Sequence, residues 1–520
     1  MDQETERIND SPQEDTKEAD EVALTNEEEI FSLNDLIVFY LKIFSGLFVL
    51  LLSRYFQKLL NISFLGLTYD NPHMLDAVGL VHLYSFVVLL SFCFVNINTL
   101  DLIGSKAYGK KNYFLYGVIL HRTFLMSFFM FAILYIINIF SGAKIMLLLY
   151  MDIRQYEYFD EYLKYYQLSF LFECTHSILI RYLNIIGKSH IGVFIMIITL
   201  VLHIVFSYTF IYVLDLVVAG AGLALICTNL CNVILELSYI LIFKPSPESF
   251  FFFTRESFSL QGISDYMKVY WALFPITMSW SASSEIQMIV ASTLGKFNLA
   301  AHVILGSISD MSLSISYGSC FSTAIAVGYF LGKNDVKIIK RILYVAWSTA
   351  IILITLLVIV LVSLRIFIIN SFLSNPFIIE MAFKCFPLLC VYLLLQAFND
   401  TFYGWFRSVG QRTVSIVVSL FSYFVFYITI VLVLTKVLHF NVFGIWISNV
   451  SVEIFSITVL LIFFFVLDIE ESCRELIKTQ DEEDKSRGEH MEIEDKNVNN
   501  TNKGNFEKES NNTLPKNKLL

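Results

Sequence analysis

Residues 280 to 293 read WSASSEIQMIVAST, with the acidic Glu285 at the centre of a run too apolar for a surface loop. An ionised carboxylate at mid-membrane costs roughly 2.5 to 3.5 kcal/mol on insertion scales, so such a residue normally faces a wet cavity or a partner. Burial disfavours the charged form. Neutral, Glu285 sits in an apolar wall at little cost; ionised, it needs a cation. An acid of this kind can exchange a proton for a positively charged guest, provided the two cannot occupy it together. The competing reading is a structural hydrogen bond to a Ser or Tyr of a neighbouring helix. Asp310 in DMSLSIS and Asp400 in QAFNDTFYG invite the same chemistry, against a plain polar role facing a cleft or the cytoplasm. Gln396 and Asn399 offer hydrogen bonds to a substrate or between helices. Trp280, Tyr317 and Tyr403 lie on the same runs and would present π faces to a cation.

The first half holds a second set. Glu173 and His176, three apart, share a helix face and would either relay protons or pack as a neutral pair. Glu236 and His203 carry the same two readings. Asp101 reads as a structural acid near the cytoplasmic mouth, with Arg122 or Lys106 as its ionic partner, against a place in the same proton relay, and His302 as an interfacial residue near the outer face.

These residues must be positioned by membrane helices. The chain is 56% hydrophobic and 16% charged, with a mean hydropathy of +0.65, far more apolar than a soluble domain. Twelve apolar runs are long enough to span a bilayer, the first at 36 to 60 and the last at 442 to 467. Their length and lack of alternation predict helices rather than barrel strands. The reading divides the chain into an acidic disordered tail at 1 to 35, an N-lobe at 36 to 243, a cytoplasmic linker at 244 to 270, a C-lobe at 271 to 467 and a disordered tail at 468 to 520. The tails carry the acidity; the span region is net positive. Loops after even-numbered spans hold thirteen of the bases and odd-numbered loops eight, which predicts cytoplasmic termini.

The halves echo one another. Gly109 in AYGKKN and Gly332 in YFLGKN are 223 positions apart, as are Gly187 in NIIGKS and Gly410 in RSVGQR. Gly222 and Gly444 are 222 apart. A duplicated unit of six helices is even in number, so both copies enter the membrane in the same direction as parallel repeats. The predicted fold is an all-α polytopic protein of twelve transmembrane helices, 6+6, around a central cleft. Pro275 and Pro387 would kink the seventh and tenth helices and aid lobe rocking.

Seven of the eight cysteines lie in or beside apolar segments, where thiols act as small hydrophobes, so neither a disulfide framework nor a metal site is expected. No signal peptide is expected before the first apolar run.

TLDLIGSKAYGKKN followed by GVILHR resembles the second-to-third helix region of eukaryotic multidrug and toxic compound extrusion (MATE) transporters, through Asp101, Ala107, Tyr108, Gly109, Leu120 and Arg122. STAIAVGYFLGKND matches a second family stretch through Val327, Gly328, Leu331 and Gly332, and YGWFRSVGQR a third through Gly404, Arg407 and Gly410. The resemblance runs from about residue 60 to 465. It implies alternating-access exchange of protons or Na+ for organic cations and other drug-like solutes. Lys106 and Tyr329 depart from the family pattern. The family's carboxylates of the seventh, eighth and tenth helices align with Ser283 or Met288, Ser307 and Gln396, with Glu285, Asp310 and Asp400 about one turn away.

The expected partners are therefore a small molecule, an organic cation, and the bilayer of a plasma membrane or vacuole-type organelle. A monomer is expected, with no nucleic-acid partner and no cofactor beyond the coupling ion, H+ or Na+. A lipid-linked oligosaccharide flippase would want several cations in its cleft, and the intramembrane charge reads as mainly acidic, which disfavours it. A receptor or membrane enzyme is the other alternative. No phosphate-binding loop, metal cluster or nucleophile motif is visible.

Overall fold

The computed structural model describes residues 32–69, 71–149, 153–372 and 376–479. The expected tails fall largely outside these residues. Among the described residues twelve long helices form the fold: α1 Leu33–Thr68, α2 His73–Gly109, α3 Tyr113–Leu149, α4 Tyr156–Ile185, α5 Ser189–Val213, α6 Val217–Phe243, α7 Leu260–Thr293, α8 Lys296–Gly332, α9 Val336–Phe372, α10 Pro376–Ser408, α11 Arg412–Val437 and α12 Asn441–Val466. They divide as α1–α6 and α7–α12. Hydrocarbon offers no water to unpaired backbone groups, which is why helices are the solution for this chain. Ten of them are long and apolar enough to cross a membrane. The other two, α4 and α7, are 30 and 34 residues long but more polar, and they carry candidate site residues.

Polarity is distributed inside out. Phe128, Phe129, Ile136 and Phe140 of α3 and Ile352, Leu356 and Ile359 of α9 are exposed. Ser312, Ser316, Ser319, Ser322 and Thr323 of α8 are buried. Small and hydroxyl-bearing residues let helix backbones approach and bond, while the outer faces keep the side chains that lipid solvates.

The repeated glycines divide into two physical types. Gly187 and Gly410 adopt positive φ, +75° and +91°, and end α4 and α10 in left-handed turns that favour glycine. Gly109 and Gly332 instead serve close packing across the lobes. A Cβ on Gly109 would collide with the Tyr329 carbonyl, and one on Gly332 with the Lys106 carbonyl. Lys111 and Asn334, at the same place in the two turns, both have φ near +60° (60° and 59°), so the backbone repeats as well as the sequence. Gly109→Ala is expected to cost roughly 1 to 3 kcal/mol by overpacking a backbone-to-backbone contact. A melting temperature in detergent equal to that of the parent would show that the two helix ends are not so tightly joined.

Two boundaries differ from the sequence reading. Residues 469–479 are helical rather than the start of a disordered tail, with Ile469 and Cys473 buried and Lys340 paired with Glu470 at 3.3 Å. The expected linker is shorter, because α7 begins at Leu260 with Ser259 accepting from the Gly262 amide.

Candidate functional site

The α8 helix is the spine of the site. Asp310, Tyr317, Phe321, Gly328 and Gly332 follow one another at spacings of seven, four, seven and four, which places them along one face. Each meets a different neighbour. Gly332 lies against α2 at the Lys106 carbonyl, and a Cβ on Gly328 would meet the Ser105 hydroxyl. The rings of Tyr108 and Tyr329 stand 6.4 Å apart at the same end. Phe321 lies between two guanidiniums, Arg181 of α4 at 4.6 Å and Arg407 of α10 at 5.6 Å. Ser319 accepts from Thr401 of α10 at 2.8 Å and shares a 3.0 Å hydrogen bond with Tyr40 of α1. One face thus joins the two halves from the Gly109–Gly332 contact upward.

Asp101 is placed differently from its expected pairing. It lies in a π-helical stretch, Leu100–Gly104, fully buried, and its ion pair is with Arg181 at 3.3 Å. Arg122, an expected partner, donates to the Glu256 carbonyl at 2.8 Å. The π turn inserts a residue into the helix and rotates the side chains that follow, a device common at functional sites.

Glu173 and His176 share α4 but not a partner. Glu173 pairs with Arg54 of α1, and Arg54 also donates to Ser177 at 3.1 Å. His176 meets Glu236 of α6 through Nδ1 at 2.8 Å. Glu173 and His176 therefore do not pack as a pair with each other, and the His176–Glu236 contact joins two of the residues expected in a relay. His203 shares a hydrogen bond with Thr228 at 2.9 Å, and His302, expected at an interface, is buried beside Trp446 with ring centroids 5.8 Å apart.

In the second half, Trp280, Tyr317 and Tyr403 come together: Trp280 stacks on Tyr317 and meets Tyr403 edge-on, both at 5.7 Å. On α10, Gln396, Asn399, Asp400 and Tyr403 occupy adjacent turns, all buried. Asn399 donates to Glu453 of α12 at 2.6 Å and accepts from Ser456 at 3.0 Å, and Ser456 shares a 3.0 Å hydrogen bond with Tyr403. Tyr423, on a π-helical stretch of α11, donates to the other Glu453 oxygen at 3.3 Å. Asp400 is 2% exposed, and its Oδ2 has no hydrogen-bond partner among the described residues. Neither Asp400 nor Glu453 joins an ion pair among those residues. Glu285 is half-buried on α7, two residues before Gln287, which accepts from Asn449 of α12 at 3.0 Å. Asp310 stands apart from the aromatic group, opposite Lys58 of α1 at 3.6 Å.

Glu453, Arg54, Lys58 and Arg181 were missed by the sequence reading, although each is a charge within an apolar run and so carries the signal that marks Glu285. The cations among them qualify the mainly acidic reading of the intramembrane charge without reversing it, since Glu236, Glu285, Asp400 and Glu453 also lie within the helices. Three cations face three acids: Arg54 with Glu173, Lys58 with Asp310, and Arg181 with Asp101.

Comparison with known proteins fits this arrangement. The profile of the MatE family matches two segments, residues 47–209 and 274–433, one in each half and together more than half of the chain. The chain belongs to the MatE family. This MatE-family chain is 24% identical over 406 residues to Multidrug and toxin extrusion protein 1 of Xenopus tropicalis, covering 77% of this chain and 69% of that protein. It is 25% identical over 423 residues to Protein DETOXIFICATION 17 of Arabidopsis thaliana, covering 79% and 87%. Its fold is similar to that of the eukaryotic MATE transporter AtDTX14, with a TM-score of 0.80 over 86% of this chain and 99% of that one, at 16% identity. A multidrug resistance MATE transporter solved in an outward-facing conformation gives 0.73 over 87% and 97%, at 17% identity. The protein is a multi-pass membrane transporter of the 6+6 MATE fold.

Proposed function

We propose that this transporter is a secondary active antiporter that exports organic cations, drug-like solutes or metabolites in exchange for protons or Na+. The observation that carries the reading is the buried group of Asp400 and Glu453 beside Trp280, Tyr317 and Tyr403. An ionised carboxylate removed from water needs a counter-charge. No basic side chain among the described residues joins either acid in an ion pair, and Arg407 stands two turns from Asp400 along α10; a proton or an incoming cation would supply the missing counter-charge, and the aromatic faces favour an organic one. Proton and substrate then compete, and an ion gradient drives export. In this reading the termini and the Gly109–Gly332 contact are cytoplasmic, so the structure is shut on that side, and the transporter works as a monomer. The flippase alternative is disfavoured, because Arg54, Lys58 and Arg181 are each matched to an acid rather than gathered to receive a pyrophosphate.

The test is reconstitution into vesicles with uptake of ethidium, a permanently charged fluorescent cation that pH cannot neutralise, under an imposed pH or Na+ gradient. Wild type is expected to accumulate ethidium only with a gradient. Glu285→Gln is expected to slow uptake about tenfold, the effect of losing roughly 1.4 kcal/mol of charge interaction. Uptake indifferent to both gradients would sink the antiport reading; equal rates for variant and parent would move the coupling role from Glu285 to the Asp400 and Glu453 group.

A further inference from the structure

The three ion pairs differ in how firmly they are held. Arg181 and Asp101 are sealed, with side chains 2% and 0% exposed, and both belong to the first half. Arg54 and Glu173 are also within the first half and are tightly joined, with Ser177 adding a second bond to the guanidinium. Lys58 and Asp310 are unlike either. Their side chains are 38% and 46% exposed, the nitrogen to oxygen distance is 3.6 Å, and the pair joins α1 of one half to α8 of the other. One turn away Tyr55 donates to the Ser307 carbonyl at 3.3 Å, so α1 and α8 face each other here. Asp310 is fourteen residues from the start of α8, about 21 Å along its axis and well inside the span.

The geometry points to Lys58 as a tethered cation that occupies Asp310 in the empty transporter and must be displaced by the cation of the substrate. The assignment rests on the cation-antiport reading and adds a specificity-determining residue to it. A lysine suits the role, because its ammonium is a compact point charge on a flexible stem, whereas an arginine would hold the carboxylate through a planar fork. A neutralised Asp310 lets the empty lobes rock without a bound ion at this position, so proton coupling is left to Glu285, Asp400 and Glu453. Lys58 also sets the class of guest. An entering cation must compete with a strongly hydrated ammonium already in place, which favours a large organic cation of low hydration over a small ion.

Two substitutions separate this role from that of a simple latch between α1 and α8. If Lys58 competes with substrate, Lys58→Gln removes the competitor and Asp310→Asn removes the site, so their effects on the KM for ethidium have opposite signs. If the pair is only a latch, both break it and KM moves the same way. The expected result in vesicles is a KM lowered about fivefold by Lys58→Gln, the scale of a part-exposed ion pair, and raised at least as much by Asp310→Asn. Lys58→Arg, which would hold the carboxylate through a planar fork and be harder to displace, is expected to raise KM. Shifts of the same sign in the first two variants, or a Lys58→Gln value within twofold of the parent, would overturn the assignment. Should wild type carry no ethidium under either gradient, the antiport reading fails by itself. Lys58 is then judged on equilibrium binding of ethidium to the purified full chain, where the same opposite shifts in Kd support the assignment and parallel or absent shifts overturn it.

Discussion

Arg181→Met is expected to destabilise the protein by about 3 to 5 kcal/mol, the cost of leaving one member of a buried ion pair without its partner. Asp101 would keep its charge in a fully buried π turn, having lost the guanidinium at 3.3 Å. Phe321 would also lose the cation stacked at 4.6 Å, one of the contacts by which α4 of the first half meets α8 of the second. The double variant Arg181→Met with Asp101→Asn should recover most of the loss, because removing both charges removes the desolvation problem. Thermal unfolding of all three proteins in detergent measures this. A single variant that melts with the parent would mean that another cation, Arg407 foremost, already balances Asp101. Lysine at position 181 is not expected to substitute fully, since it cannot lay a planar charge on the Phe321 ring.

Glu453 carries the second large effect, which appears in transport rather than folding. Glu453→Gln keeps the shape of the side chain and one acceptor oxygen, so Asn399 or Tyr423 retains a partner. Stability should fall by no more than about 1 kcal/mol, one ordinary hydrogen bond. The charge that would hold a proton or cation beside Asp400 is gone. Gradient-driven ethidium uptake is expected to drop roughly ten- to hundredfold, the scale of a hydrogen bond to a charged group worth about 1.5 to 3 kcal/mol. Glu453→Ala should cost stability as well, because it leaves Asn399 and Tyr423 buried with unmet donors. Wild-type uptake by a well-folded Glu453→Gln protein would remove this carboxylate from the mechanism and leave the role to Asp400 and Glu285.

Much of the architecture could be read along the chain. Runs of apolar residues long enough to cross a bilayer admit helices and little else, and glycines recurring at an offset of 223 marked the duplication. The limits of that reading lie at particular residues. The α4 helix begins at Tyr156, ahead of its apolar run, because Glu157, Asp160, Glu161 and Lys164 are compatible with a helix that projects beyond the hydrocarbon. Gly109 and Gly332 stood out in the sequence as landmarks of the repeat, yet their value is the absence of a Cβ where two backbones touch. Arg54, Lys58, Arg181 and Glu453 were as visible as Glu285, and only their partners were hidden.

Spacing along a helix says which side chains share a face, but not which helix that face meets. Glu173 and His176 are three residues apart on α4, yet one turns to α1 and the other to α6, since neighbours flank the helix on both sides. Lys58 and Asp310 lie some 250 residues apart, on helices whose adjacency no local pattern encodes. Hydropathy, a property of each segment against lipid, was enough to mark where the helices of the bundle lie along the chain. The pairing of charges depends on how the crossings pack side by side, and in this protein it was the packing that gave Asp101, Glu173 and Asp310 their cations and left Asp400 and Glu453 outside every ion pair among the described residues.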